Sequence, residues 1–475
     1  MTTHVVQWLL VALHAALAIG TGGHALLTKR DPRGAWGWIA VVLLFPFAGP
    51  LLYYWFGINR IRMRAQRIVG SESKRGILTG TPPPPLPRVA GVAEAEMLEL
   101  VRIGEAMSNR PLAPGNLVEP LVNGEQAYPA MLAAIAEAEH TICLASYIFD
   151  GGVAGRQFVD ALGAAHARGV EVRVLVDGVA DSWYRPSAAA MLHALGVPVA
   201  RFLPPRLVPP MLHVNLRNHR KLLAIDGEVA FTGGMNISDR HYVEHRGGTS
   251  TADLQFRVIG PVVQQLERAF AEDWRFASGK RMKPLPGSQR HAGTAACRAI
   301  TDGPNLDMAA LVMVLLGALA TAHQRVLIMT PYFLPPLELI GALQSAALRG
   351  VEVTIVLPER SNQRPVDFAT RSMLWQLLQR QVRVFYAPPP FAHTKLFIVD
   401  DYYAQIGSAN MDERSLRLNF ELVLEVFDQP FVAKLAAHFE AARAKAREVS
   451  LPELESRPLL VKARDALCWL FSVYL

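Results

Sequence analysis

The chain has 475 residues, enough for about three domains, or for two large ones with an appendage. Hydrophobic residues make up 51% and charged residues only 19%, which excludes a mostly disordered chain and places part of the apolar excess in lipid. The net charge of +7 suits an anionic partner, and Cys143, Cys297 and Cys468 are too far apart for a disulfide framework or a CxxC metal pair.

From Val5 to Leu27 no residue is charged, a run of twenty-three. At 1.5 Å per residue it reaches roughly 34 Å, enough to cross a ~30 Å hydrocarbon core. A second uncharged run covers Gly34 to Asn59, with Trp36 and Trp38 at its start and Tyr53, Tyr54, Trp55 and Phe56 near its end. Aromatics at both ends are those of an interface belt. The two runs read as a membrane hairpin over residues 1–60. A cleaved signal peptide fits poorly, since the basic n-region is missing and a second run follows. Pro46, Gly49 and Pro50 leave a kinked or re-entrant second segment as the alternative. The turn holds three basic residues, Lys29, Arg30 and Arg33. Six more follow the second run: Arg60, Arg62, Arg64, Arg67, Lys74 and Arg75. The larger cluster points to a multi-pass inner-membrane protein with a cytoplasmic body. Residues 61–90 form a basic, Pro-rich linker ending in the run Pro82 to Pro85.

The body repeats itself. RGVEVRVLVD at 168–177 answers RGVEVTIVLP at 349–358. ICLASYIF at 142–149 answers LIMTPYFL at 327–334, aligning Tyr147 with Tyr332. DLQFRVIGPVV, from Asp253, answers ELVLEVFDQPFV, from Glu421. Strands alternate with Ala-rich helical patterns, so the expected fold is α/β, a sheet sandwiched by helices. Two copies imply two lobes, 91–285 and 286–475, related by a pseudo-two-fold axis.

Each copy carries one constellation at the same place. The first is His219-x-Lys221, four residues, Asp226, six residues, then Gly233-Gly234-Met235-Asn236. The second is His393-x-Lys395, four residues, Asp400, six residues, then Gly407-Ser408-Ala409-Asn410. One HxK arises readily by chance; this long pattern twice, in two homologous halves, does not. HRKLLAID reads as a strand, so His219 and Lys221 share a face, as do His393 and Lys395. If the two faces meet, two histidines and two lysines share a site. Two ammonium groups and the Asn236 and Asn410 amides suit the charge of a phosphodiester undergoing substitution. A neutral histidine can attack phosphorus while a protonated one serves the leaving alcohol. Asp253 and Glu421 open the aligned strands, 34 and 28 residues after the histidines of their own copies. The repeat suggests that they hold those rings. Asp226 and Asp400 belong to the catalytic motif, yet their odd spacing puts them on the opposite strand face, near a turn. Arg217, Arg220 and Arg414 read first as solvated charges, with headgroup binding as the alternative. After Lys462 and Arg464, the C-terminal ALCWLFSVYL reads equally as an interfacial amphipathic segment or a buried helix.

With these motifs and with FTGGMNISD and GSANMDERS, the chain resembles the phospholipase D superfamily and, within it, the bacterial cardiolipin synthases. The superfamily resemblance covers about residues 90–460. Gly234 stands where many members have Ser. The resemblance implies catalysis by His219, Lys221, Asp226, His393, Lys395 and Asp400. It implies substrate contacts from Asn236, Asn410 and Ser408, and an acidic residue such as Asp253 or Glu421 behind each histidine. It also implies phosphatidyl transfer between two phosphatidylglycerol molecules of the bilayer through a phosphohistidine, giving cardiolipin and glycerol. No metal, cofactor or nucleic-acid partner is expected. The rivals are a hydrolytic phospholipase D, a nuclease with the same motifs and a non-enzymatic membrane adaptor. The membrane hairpin argues against the nuclease, and two intact motifs argue against the adaptor.

Overall fold

The computed structural model describes residues 2–29, 32–58, 94–205, 216–246, 249–283, 290–303 and 309–472. The basic cluster from Arg60 to Arg75 and the Pro-rich linker lie outside them. The chain divides into two compact units. One comprises Met1–Gly70 with Pro205–Val214; the other comprises Ser71–Pro204 with Asn215–Leu475.

In the first unit a helix runs over Thr2–Thr28, and its His4–Thr28 portion is long and apolar enough to span a membrane. The second run does not form the uninterrupted span expected of it. Its helix stops at Pro32–Leu44, thirteen residues or roughly 20 Å, short of the hydrocarbon thickness. Pro46 cannot donate to the helical ladder, and Phe47 turns into a left-handed conformation with φ of 59°. A five-residue helix, Ala48–Leu52, and a wide turn, Tyr53–Gly57, follow. This is the kinked alternative. Ala18, Ala25, Val42 and Tyr53 form the small core of the unit. The His24 Nδ1 lies 2.7 Å from the Tyr53 hydroxyl, so one polar pair ties the long helix to the wide turn.

The second unit is built on a continuous sheet of fifteen strands. In the first lobe the strands lie in the order Leu254–Ile259, Val229–Gly233, Leu222–Ile225, Thr141–Ser146, Glu171–Asp177, Val199–Phe202. In the second the order is Glu421–Phe427, Tyr403–Gly407, Leu396–Val399, Arg325–Met329, Glu352–Pro358, Arg383–Ala387. The two orders correspond strand for strand. Between them Ala113–Val122 and Ala295–Asp302 pair antiparallel and join the lobes. In both lobes the strand that begins within RGVEV is parallel to the strand preceding the aligned tyrosine. Such strands, covered by helices on both faces, carry near-continuous β-branched sequences. Leu144, Phe158, Val174 and Phe231 belong to the first lobe's core, and Ile328, Leu343, Ile355 and Phe397 to the second's. The helix Glu94–Ser108 crosses the expected division: by sequence it falls in the first lobe, yet Met97, Leu100 and Val101 are in the second lobe's core.

Candidate active site

The two HxK segments stop just short of regular strands. His219 and Lys221 precede Leu222–Ile225; His393 and Lys395 precede Leu396–Val399. The extended backbone still puts i and i+2 on one side: Lys221 Nζ donates to the His219 carbonyl at 2.7 Å, and Lys395 Nζ lies 3.0 Å from His393 Nε2. Both histidines line one cavity of about 370 Å³, together with Asn236 and Asn410. All four HxK side chains are buried.

The acidic partners are crossed between the lobes. His219 Nδ1 lies 3.0 Å from Glu421 Oε1, and His393 Nδ1 lies 2.7 Å from Asp253 Oδ2. Each histidine is held by the other lobe's acid, not by its own as the repeat suggested. The backbone explains why. Asn218 forms a parallel bridge with Phe420, and the His219 amide donates to the Phe420 carbonyl at 2.9 Å. Phe391–Ala392 pairs parallel with Thr251–Ala252, and the His393 amide donates to the Ala252 carbonyl at 2.7 Å. Each HxK segment therefore runs beside the residue that precedes the opposite carboxylate. With Nδ1 engaged by a carboxylate in each ring, Nε2 is the nitrogen that faces substrate, with Lys395 Nζ beside that of His393.

The first glycine of each GxxN turn is required by geometry. Gly233 and Gly407 have φ of 154° and 149°. A Cβ at Gly407 would lie 2.3 Å from the Leu422 carbonyl oxygen. The second position differs between the copies. Ser408 Oγ donates to the carboxylate of Glu421. Ser408 thus braces the acid, and it is not among the residues that line the cavity. At Gly234 a Cβ would come within 2.7 Å of both Asp253 oxygens. Aspartate is one methylene shorter than glutamate, so its carboxylate occupies the space that a side chain at 234 would need.

Asp226 and Asp400 do not join the cavity. Asp226 accepts from the backbone N–H groups of Glu139, His140 and Thr141, and Asp400 from those of His323, Gln324 and Arg325. Their φ values of 53° and 52° put them at turns after the strands. They close the turns and tie them to neighbouring strand starts, a structural role that replaces the catalytic one expected for them. Arg217 and Arg220 are buried, at 3.3 Å from Asp177 and 2.8 Å from Asp273, rather than solvated. Arg217 and Arg414 both line the cavity, and the Arg414 Nε is buried without a hydrogen-bond partner among the described residues.

Further cavity residues escaped the sequence reading. Tyr147 and Tyr332, aligned by the repeat, each set a ring against the histidine of their own lobe, at 5.0 and 6.4 Å between centroids. His241 lies 6.5 Å from the His393 ring, and the other copy has Ser415 at that place, so the repeat carried no signal for it. Asn419 donates to Glu421 at 3.2 Å.

Burial is the main force on the charges. It holds His219 well below the ordinary histidine range, with Lys221 and Lys395 acting in the same direction. It takes His393 down to about 3, with Lys395 reinforcing it and Asp253 opposing it. Burial would lift Asp253, but the Lys395 charge and the His393 hydrogen bond outweigh it and bring Asp253 to about 2. Glu421 goes the other way: burial raises it to about 7 against Lys221 and the Ser408 and Asn419 hydrogen bonds. Lys395 falls to about 8 by burial and keeps its charge at neutral pH. The cavity thus offers two ring nitrogens and cationic charge to a phosphodiester, and the two carboxylates behind the rings differ in strength.

Comparison with known proteins agrees with this geometry. The family described as "Cardiolipin synthase, PLD-like domain" matches residues 131–274 and 315–443. A second, "Phospholipase_D-nuclease N-terminal", matches residues 16–57. The cardiolipin synthase A of Pseudomonas putida is 31% identical over 450 residues, covering 94% of this chain and 93% of that protein. The cardiolipin synthase of Geobacillus kaustophilus is 29% identical, covering 94% and 90%. Among solved structures, the phosphatidylserine synthase of Haemophilus influenzae superposes with a TM-score of 0.61 at 16% identity, covering 79% of this chain and all of that one. That likeness speaks for the fold.

Proposed function

The chain belongs to the cardiolipin synthases with PLD-like domains, and from that premise we propose that it transfers a phosphatidyl group from one phosphatidylglycerol to another, releasing glycerol. The observation that carries this reading is the pair of crossed His–carboxylate contacts at one cavity, each with a buried lysine two residues after the histidine.

In the proposed first step, His219 Nε2 attacks phosphorus while the P–O bond to glycerol breaks. His393, protonated, gives its proton to the departing glycerol oxygen. In the second step His393 takes the proton from the hydroxyl of the incoming phosphatidylglycerol. That oxygen forms the new P–O bond as P–N breaks. The carboxylates support this order. Burial leaves His393 neutral at pH 7; an arriving phosphodiester anion favours its protonation, and Asp253, a strong anion, supports the proton there, as a general acid requires. Glu421 is a weaker anion and leaves His219 neutral, as a nucleophile requires. Lys221 and Lys395 carry the cationic charge opposite the phosphoryl oxygens. Asn236 and Asn410 supply amide contacts at the cavity wall. Arg414, whose Nε has no hydrogen-bond partner among the described residues, suits the phosphate of the second lipid, which a hydrolytic phospholipase D would not need to hold.

The N-terminal helix serves membrane association. A multi-pass hairpin with the body on the cytoplasmic side is part of the same proposal, resting on the basic residues of the sequence. Protease protection in oriented membranes tests it; body residues reachable only from outside would overturn it. The activity itself is tested by incubating purified protein with labelled phosphatidylglycerol after exhaustive chelation. Cardiolipin and free glycerol are expected. Phosphatidic acid as the main product would favour the hydrolytic reading.

A further inference from the structure

The last described helix, Leu459–Leu470, is turned inside out for a soluble protein. Asp465 is fully buried and faces the body, where Arg457 and Arg464 hold its carboxylate. The apolar side faces outward: Leu459 and Leu460 are 80% and 84% exposed, and Leu467, Leu470 and Phe471 are more than half exposed. These positions stand at i, i+1, i+8, i+11 and i+12, which at 3.6 residues per turn fall on one side, so they form one stripe along the helix. Twelve residues span roughly 18 Å, too short to cross a bilayer and suited to lying in its surface. Of the two readings of the C-terminal segment, a buried helix does not fit this exposure.

Charge indicates what covers the stripe. The adjoining cavity, of about 460 Å³, is lined by Arg360, Arg364, Arg371, Arg447 and Arg457, against Glu359, Asp367 and Glu453; Arg447 pairs with Glu453 and Arg457 with Asp465, so the lining keeps an excess of positive charge. Arg360 and Arg364 are exposed, and Arg464 stacks on Phe368 with 3.7 Å between its guanidinium carbon and the ring centre. An apolar stripe beside a cluster of arginines is complementary to acyl chains beneath anionic headgroups. The placement is also functional. The helix Arg364–Met373 packs along Leu459–Leu470, and residues at its start, Gln363 and Val366, line the active-site cavity. A bilayer seated on the C-terminal helix would lie one helix away from the reacting histidines.

We propose that Leu459–Leu470 is a membrane contact of the catalytic body itself, in which its leucines enter the interface of an anionic bilayer and the neighbouring arginines meet lipid phosphates. The proposal stands apart from the histidine chemistry and from the N-terminal hairpin.

The test uses the full chain in nanodiscs, with Cys468→Ser, the buried Cys143 and Cys297 retained, and one exposed cysteine introduced at Leu467 or, as a control, at the exposed Glu171, each carrying an environment-sensitive fluorophore. In discs containing phosphatidylglycerol, brominated acyl chains should quench the probe at 467 and leave the probe at 171 unaffected; quenching at 467 should weaken in purely zwitterionic discs. Leu460→Asp with Leu467→Asp should lower activity on bilayer substrate about tenfold while turnover of a short-chain, monomeric phosphatidylglycerol stays unchanged. An unaltered melting temperature would show that the variant is folded; a variant that melts early is replaced by Leu460→Gln with Leu467→Gln. A probe at 467 quenched by aqueous iodide and not by brominated lipid would overturn the proposal. So would concentration-dependent crosslinking between copies at 467, which would assign the stripe to a second copy of the chain.

Discussion

The His219 half of the site and the His393 half share one motif, yet they hold their rings differently. His219 leans on Glu421, which is braced by Ser408 and Asn419. His393 leans on Asp253, which has Gly234 where the other half has serine. Burial raises Glu421 to about 7, while Lys395 and His393 take Asp253 to about 2. A duplicated motif has thus become two different proton environments. The difference lies in the acids and their supports, outside the HxK residues themselves.

The largest effects should come from the shared parts. His219→Ala and His393→Ala should each lower turnover of labelled phosphatidylglycerol by about ten-thousandfold. Equal losses there would say nothing about roles; the leaving group does. His393→Ala should recover appreciable single-turnover activity on a lipid with a nitrophenol-like leaving group, because an acidic alcohol needs no proton. His219→Ala should not recover.

The acids sharpen the comparison through stability. Asp253→Asn and Glu421→Gln should each cost about a thousandfold in turnover, since each loosens a ring. Their effects on folding should have opposite signs. Asp253 has a depressed folded-state pKa, so it stabilises the fold above its ordinary value near 3.8, and that contribution is lost as pH falls toward 2. Asp253→Asn should therefore lower stability at pH 7 by on the order of 2 kcal/mol. Glu421 has a raised pKa, so the fold favours its protonated form and loses stability as pH rises from about 4.5 through 7. Glu421→Gln should melt higher than the parent at pH 8. Thermal scans of both variants across pH test the contrast, and shifts of the same sign in both would break it.

Smaller effects are expected at the turns. Gly234→Ser should displace the Asp253 carboxylate and cost about a hundredfold, whereas Ser408→Ala should cost about tenfold by removing one hydrogen bond to Glu421. The mildest effect is on pH dependence. With Lys395 near 8, activity should fall by about half as pH rises to that value and continue to fall above it. Lys395→Arg should move that limb upward if it retains activity.

Much of this was legible in the sequence, because duplication exposes what a single motif hides. The paired HxK segments, the aligned tyrosines and the two-lobed α/β plan all follow from comparing the two copies. The crossing of the acids was not legible: it depends on which backbone segments pair between lobes, Asn218 with Phe420 and Ala392 with Ala252. Nor was the role of Ser408, whose hydroxyl faces an acid thirteen residues away across a strand pair. Asp226 and Asp400 show the opposite case. Their membership in the motif suggested chemistry, while their odd spacing from the lysines already pointed to the turn where they sit. His241 entered the cavity through tertiary packing alone, and packing also decided between the two readings of Arg414.

The central claim is that the asymmetric carboxylates make His219 the nucleophile and His393 the acid. The most direct measurement is mass spectrometry of the protein quenched during turnover, under conditions calibrated to preserve phosphohistidine. The account predicts a phosphatidyl adduct on His219, accumulating in His393→Ala with the activated lipid and absent from His219→Ala. An adduct on His393 in the unaltered protein would reverse the assignment, and an adduct on neither histidine would replace the two-step path with direct in-line transfer.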